Sequence, residues 1–501
     1  MLCAPSLIAQ SITEVPKTAS WSEKIVDLEI ANIPSTPNNS IDSLDPVRFV
    51  WKPAQNIRTG RIFINSQGNR HNLVLEKDQV SELPILSLTT DAPNLFDEKV
   101  GILVPGVNWT EKRPLYSGNY QQRGLEWERP VSISYYENGR LAFQTNCGLR
   151  THGLLARAAP QKSLRLCERL ELNAVGLDYS FFGKEQILPY LLLRSPFSSH
   201  SGNVIADMVV HNAARKTQIA SIAFQPVSLY VNGVYWGLMN LRPRPDESFL
   251  ANFHGVNLDQ VVMDDQFQDS TLLHLLGFIN KSNSDDANSL DSISQLLNIE
   301  NFIDYMILET FFRNLDWAGD NNVQFYRIEN GPLHLALIDL DATFQVEDQD
   351  MYAHIQEKDN CISSIWSALR ANTQFSSAYA ERYKELSASC LNTTYITASI
   401  DSISAMIAPE IESQISRWNY PEKYITWQES LRDMRKFALN RPHYAAVHLN
   451  SELGYAAVIE PEMKSNLSNM TKFILQQYKM WVAGLFLLLI AIGVLLVFKR
   501  N

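Results

Sequence analysis

Near Gln260 the chain changes character, and that change limits its possible architecture more than any other feature. Upstream of it, β-rich runs alternate with turn clusters. The clearest case is Pro226-Val227-Ser228-Leu229-Tyr230-Val231, then Asn232-Gly233, then Val234-Tyr235-Trp236-Gly237-Leu238-Met239-Asn240-Leu241. An Asn-Gly pair between two such runs predicts a type I′ hairpin, because both central residues must take positive φ. Residues 83–88 and 130–136 read as further strands. Downstream, residues 301–315 are apolar nearly all round, with Phe302, Tyr305, Met306, Leu308, Phe311 and Phe312, which predicts a buried helix. Helical patterns then fill residues 362–450, with breaks near Asn392 and Pro421. A β-rich half followed by an α-rich half predicts a two-lobed α+β domain.

A length of 501 residues leaves room for two to four structural units at about 150 residues each. With 45% hydrophobic and 19% charged residues, the chain is too apolar to be disordered. The net charge of −11, with no basic tract to offset it, argues against nucleic acid as a partner. Five cysteines without a CxxC pair or regular spacing point to neither a zinc site nor a disulfide framework.

The two ends carry separate signals. Residues 481–498 are uncharged and as a helix would span about 27 Å, which predicts a transmembrane helix over 479–498, after a juxtamembrane linker at 451–478. Leu7 and Ile8, followed by Ala9-Gln10-Ser11, resemble the end of a signal peptide, so residues 1–20 read as a leader or a truncated one. Lys464, Lys472 and Lys479 before the span oppose Lys499 and Arg500 after it, and charge counting leaves the orientation open. A leader would place the folded part outside the cytoplasm; without one the chain would be a tail-anchored cytoplasmic protein. Residues 21–82 hold short apolar runs between turn clusters, which suggests a small β-sandwich-like unit.

The residues suited to chemistry follow the apolar helix. Asp316-Trp317-Ala318-Gly319-Asp320-Asn321-Asn322 precedes a strand-like run at 323–327, a turn at Asn330-Gly331 and a second run ending Leu337-Ile338-Asp339-Leu340-Asp341. Asp339 and Asp341 lie two apart, so in an extended segment both would project from one face and bind one divalent cation, Mg²⁺ best, through oxygen. Asp316 and Asn321 stand in the D-x-x-x-x-N spacing that places a catalytic Asp and a metal-binding Asn on one loop. On the β-rich side, residues 148–153 (Gly148-Leu149-Arg150-Thr151-His152-Gly153) form a glycine-bounded turn, and Lys162 begins a strand, an arrangement in which a Lys can pair with phosphate.

Seven blocks in series resemble the CotH family of spore-coat-protein-H-like atypical protein kinases: L-P-I-L-S-L-T-T at 83–90, the region 118–132, G-L-R-T-H-G at 148–153, P-Q-K-S-L-R-L at 160–166, L-Y-V-N-G-V-Y-W-G-L-M-N-L-R at 229–242, D-W-A-G-D-N-N-V-Q-F-Y-R at 316–327 and I-D-L-D at 338–341. The resemblance implies a diverged two-lobed kinase-like domain over residues 83–450. It implies an enzyme that uses ATP and Mg²⁺ or Mn²⁺ to phosphorylate Ser, Thr or similar acceptors on a secreted or surface protein; the apolar run at 481–498 would anchor that enzyme in a membrane. By position, Lys162 resembles the phosphate-binding Lys, with Arg150 and Gly153 beside the nucleotide. Asp316 resembles the catalytic-loop Asp, and Asp339 and Asp341 match the metal-binding DxD element. The metal-binding Asn is Asn321 by the D-x-x-x-x-N spacing and Asn322 by the frame that ends at Tyr326. One departure stands out: where the family reads Leu-Arg-Glu-Arg-Pro-Asp, this chain has Pro243 in place of Glu, so that Asp246 or Glu247 would have to substitute. That departure keeps open a non-catalytic, pseudokinase-like surface module on the same fold, and the acidic cluster alone would also suit a metal-dependent hydrolase.

Overall fold

The computed structural model describes residues 60–64, 71–75 and 82–454, apart from 170–176, 184–187, 199–202, 265, 281–286 and 318–321. The leader at 1–20, the linker beyond 454 and the span at 479–498 lie outside the described residues. Among the described residues no helix is long and apolar enough to cross a membrane. Of the β-rich unit expected over 21–82, the described part is a hairpin of β1 (Gly60–Ile64) and β2 (His71–Leu75), antiparallel with Gly60 opposite Leu75.

Seven strands close into a barrel: β3 (Ile85–Thr89), β4 (Arg129–Glu137), β5 (Arg140–Thr151), β6 (Leu164–Cys167), β7 (Tyr190–Arg194), β8 (Gln225–Val231) and β9 (Val234–Pro243). Their order is β3-β4-β5-β6-β7-β9-β8, with β8 returning parallel to β3 and every other pair antiparallel. Alternation along the strands sends Leu86, Ile133, Leu149, Leu164, Leu193 and Leu241 into one interior cluster. Closure leaves no sheet edge with unpaired backbone groups. The β8–β9 hairpin turns on Asn232 and Gly233, with φ of 48° and 81°, as its sequence predicts.

Three local expectations are corrected. Residues 148–151 are not a turn: Gly148 pairs with Pro130 and Cys167, and the chain turns only from His152 and Gly153. Gly148 is glycine because a Cβ there would collide with the Glu128 carboxylate, which packs across the strand. Lys162 does not begin a strand, since β6 starts at Leu164. The run that leads to Asp339 and Asp341 stops being a strand at Ala336, the end of β12 (Leu333–Ala336), which joins β10 (Val261–Asp264) and β11 (Gln324–Ile328) in a separate antiparallel sheet.

The second half is helical around one buried element. In chain order the helices are α1 (Ala92–Phe96), α2 (Ala206–Ala214), α3 (Glu247–His254), α4 (Ser270–Ile279), α5 (Ala287–Ser294), α6 (Ile299–Phe311), α7 (Met351–Gln356), α8 (Cys361–Arg370), α9 (Thr373–Ser389), α10 (Thr393–Trp418) and α11 (Tyr424–Leu453). Every residue of α6 from Asn301 to Phe311 is buried, which accounts for a pattern that is apolar nearly all round. Asn392 caps α10 by accepting from Tyr395 N, and Asn419 ends it in the left-handed region, so both expected breaks occur.

Helix α10 ties the helices to the barrel. Gln414 Oε1 accepts from Leu238 N at 2.8 Å, and Gln414 Nε2 donates to Gln161 Oε1 at 2.8 Å. Both side chains crowd Gly237, whose φ is 123° and whose added Cβ would lie 2.5 Å from Gln161 Nε2 and from Gln414 Oε1. Gly237→Ala should therefore cost about 2–4 kcal/mol from backbone strain and overpacking together. Equilibrium urea unfolding checks it: a loss below about 1 kcal/mol would mean that α10 moves aside freely.

Candidate functional site

A cleft opens where the barrel faces the helices, lined by Arg194, Asp207, Met208, Asn240, Asp341 and Ile407 among others. Its chemistry begins with strand alternation. Leu164, Leu166, Leu191, Leu193 and Leu241 fill the barrel, so Arg150, Arg165, Arg194 and Arg242 on neighbouring strands share the opposite, outer face. Four cations so close repel one another unless each is compensated. Arg150 Nε meets Glu128 Oε2 at 2.6 Å, Arg242 Nη1 meets Asp207 Oδ2 at 2.6 Å, and Arg165 stacks over the Tyr190 ring at 5.3 Å. Arg194 Nη2 meets Asp339 Oδ1 at 2.9 Å and also contacts Asp341 Oδ2.

The two DxD carboxylates thus converge, though not for the expected reason. The segment is not extended: Asp339 has φ 51°, a left-handed conformation uncommon for a residue with a side chain. Convergence comes from that turn and from its anchor, since Asn314 Nδ2 donates to Asp339 O at 3.1 Å. Leu315 N donates to Ala342 O and Phe344 N to Phe312 O, so the loop after α6 and the turn after β12 are bound into one unit. Asp341 is nearly enclosed, whereas the Asp339 side chain is 44% exposed.

Asp316 lies on that same loop with its side chain exposed. Trp317 fixes the loop below it, being fully buried with Nε1 donating to Tyr305 OH at 2.7 Å. Asn322 is buried and uses Nδ2 on Asp316 O at 3.0 Å. Asn321 lies outside the described residues, so the choice between the two Asn residues stays open.

The three expected nucleotide contacts sit on the barrel. Arg150 is taken up by Glu128, and Gly153 supplies a turn at φ 98° whose carbonyl accepts from Arg157 Nε at 2.6 Å. Lys162 is 2% exposed; its Nζ donates to Ala159 O at 2.9 Å and lies 4.5 Å from the Tyr120 ring centroid. Burial lowers its ammonium to about 7. Lys162 is linked to the cleft through its neighbour: Ser163 O accepts from His152 N, and Ser163 Oγ accepts from Ser195 N, next to Arg194. Pro243 closes β9 opposite Leu191. Asp246, one candidate to replace the missing Glu, accepts from Ser248 N and Phe249 N at 3.1 Å each and so caps α3.

Sequence reasoning missed Arg194, Asp207, Asn240, Glu309 and Asn314. Arg194 alone carried a signal, as the single charge ending the apolar run Leu191-Leu192-Leu193. Glu309 is fully enclosed in α6; burial, with the nearby Asp339 charge, raises its carboxyl well above the usual range.

The donor set fits a hard divalent cation. Two carboxylate oxygens meet at one nitrogen, and the Asn240 and Asn314 side-chain oxygens are buried with no hydrogen-bond partner among the described residues, although buried acceptors normally have one. All are oxygen, as Mg²⁺ and Mn²⁺ prefer. Among the described residues no group of three or more His, Cys, Asp or Glu side chains is arranged around a metal position, so the fit rests on the carboxylate pair with carboxamide oxygens.

The Asp207–Arg242 pair is buried and predicts an acid response. Burial alone would raise the Asp207 carboxyl, but Arg242 and Arg194 hold it below the usual carboxylate range. Its contribution to stability is therefore present above about pH 4, the unfolded value, and is lost as pH falls below that. Beside it, burial lowers His211 to about 4, so His211 favours unfolding between about pH 6.5 and 4. Asp207→Asn should cost about 3–5 kcal/mol at pH 7 by leaving Arg242 buried and uncompensated. It should also remove the acid arm below pH 4 and keep the arm above it. Stability curves for wild type and variant that run parallel below pH 4 would contradict this.

The family described as CotH kinase protein matches residues 149–445, from the end of β5 into α11 and across the whole cleft. A search of curated proteins finds no match.

Proposed function

Since the chain belongs to the CotH family, we propose that it is an atypical protein kinase that moves the γ-phosphate of ATP to a Ser or Thr hydroxyl of a secreted or surface protein. The observation that carries this reading is the convergence of Asp339 and Asp341 on the interlobe cleft, with Asp316 on the loop bound to the same turn. In the transfer, the acceptor oxygen bonds to the γ-phosphorus as the bond to the β,γ-bridging oxygen breaks, and the hydroxyl proton goes to the Asp316 carboxylate. Asp316 suits this role because its side chain is exposed where an acceptor can approach, while Trp317 and Asn322 fix its backbone. Asp339 and Asp341, with the Asn240 and Asn314 carboxamides beside them, would hold Mg²⁺ or Mn²⁺, which supplies neutralisation of phosphate charge. Arg194, of the outer barrel face, adds a guanidinium at the same cleft.

The membrane anchor and the placement of the domain outside the cytoplasm belong to the same proposal. They rest on the apolar run 481–498 and the leader-like residues 7–11.

Two observations favour a second reading, a binding module without turnover. Pro243 stands where the family has Glu, and Lys162 is packed on Ala159 O and Tyr120. The full chain in detergent, given radiolabelled ATP, Mn²⁺ or Mg²⁺ and a cell lysate, separates them. A kinase labels protein acceptors only with metal. The binding module gives no labelling and no thermal shift with ATP and metal, and a hydrolase releases phosphate without labelling protein. Lys162→Ala should weaken ATP binding while the unfolding midpoint stays within a few degrees of wild type; unchanged ATP affinity would remove Lys162 from the nucleotide site.

A further inference from the structure

Two ion pairs face the cleft, and they differ in a way that assigns a role to one of them. Asp207 also borders the cleft, but it and Arg242 are both nearly enclosed, 7% and 3% exposed, so neither carboxylate nor guanidinium is open to a ligand. Arg194 lines the cleft, and one of its two partners, Asp339, is 44% exposed. A single nitrogen, Nη2, bridges Asp339 and Asp341, which are 145 and 147 residues further along the chain. A guanidinium in that position makes the contacts that a divalent cation would make with the same oxygens, so the two exclude each other by space and by charge. The other donors of Arg194, Nε and Nη1, make no hydrogen bond among the described residues, and a guanidinium fork matches phosphate oxygens. The backbone is held while the side chain is not: β7 pairs with β6 on one side and β9 on the other, and Ser195 N is fixed on Ser163 Oγ. A change of partner therefore needs only side-chain rotation.

We infer that Arg194 is an exchangeable counter-ion, holding Asp339 and Asp341 together until a cation takes them and then donating to a phosphate of the bound nucleotide. This rests on the proposal that the carboxylate pair binds the cation. Its consequence is a split that a purely structural arginine would not produce: removing the guanidinium strengthens binding of the metal alone and weakens binding of nucleotide once metal is present.

The test uses the full chain in detergent. Mn²⁺ binding is read from loss of the free-ion EPR signal, and binding of a non-hydrolysable ATP analogue is read by calorimetry at saturating Mn²⁺. Arg194→Gln should bind Mn²⁺ at least tenfold more tightly than wild type and the analogue at least fivefold more weakly. Arg194→Lys keeps a charge without the fork; it should lie between the two on both scales and carries the comparison where the Gln variant does not fold. Mn²⁺ affinity that is equal or lower in the variants would overturn the inference while leaving the cation site intact. If wild type and variants all fail to bind Mn²⁺, or if Asp341→Asn binds it as wild type does, the carboxylate reading falls and the inference falls with it.

Discussion

Asp339→Ala is expected to abolish metal-linked nucleotide binding and to reduce phosphate transfer by on the order of 10³-fold, since removing a carboxylate from a divalent site leaves several kcal/mol of phosphate charge unneutralised. Asp339 is the better choice than Asp341 because its side chain is 44% exposed, whereas Asp341 is nearly enclosed against Arg194 and its loss would also leave part of that cation unpaired. Asp316→Asn should behave differently. Its side chain is exposed and acts on the acceptor hydroxyl, so binding of nucleotide and Mn²⁺ should stay within about twofold of wild type while transfer drops by about 10²–10⁴-fold. Calorimetry with an ATP analogue beside single-turnover transfer separates the two variants. Equal loss of binding in both would show that Asp316 and Asp339 do not divide the work as proposed.

Arg441→Ala should produce a large loss of stability in the helical half. Arg441 is 1% exposed inside α11 and donates to four carbonyls: Thr310 O and Phe311 O at the end of α6, and Glu347 O and Gln349 O in the segment before α7. The last carbonyls of a helix have no partner within it, and here one buried guanidinium satisfies them. Stranding buried acceptors at about 1–3 kcal/mol each, with some relaxation, gives an expected loss of about 3–5 kcal/mol. That corresponds to a fall in Tm of about 5 °C for a domain of this size. Arg441→Lys should recover only part, since one ammonium cannot reach four divergent oxygens. Residues 312–317 continue directly from α6, so transfer activity should fall at temperatures where the variant is still folded. Calorimetric unfolding tests it: a Tm within 3 °C of wild type would mean that the carbonyls find other donors.

The elements that could be read from the sequence are those whose cause is local. The β8–β9 hairpin follows from the φ that Asn232 and Gly233 must adopt, and α6 follows from an apolar pattern with no polar face. Breaks at Asn392 and near Pro421 follow from capping and from the left-handed Asn419. Where local reasoning failed, a distant residue supplied the reason. Gly148 looks like a turn glycine, but it is glycine so that Glu128 can cross the strand and hold Arg150 and Arg169.

The sequence by itself determined the residues of the DxD pair, the Asp316 loop, the β-then-α order and the family, because each is carried by neighbours in the chain. Only the tertiary structure decided that the β half closes into a barrel, since that requires β8 to pair parallel with β3 across about 140 residues of chain. It alone decided what stands opposite the carboxylates. Arg194 and Asp339 are 145 residues apart, and no periodicity links them. They meet because alternation puts Arg194 on the outer barrel face, Asn314 holds the Asp339 turn, and two opposite charges drawn together at the wall of a cleft lose less by pairing than by standing alone.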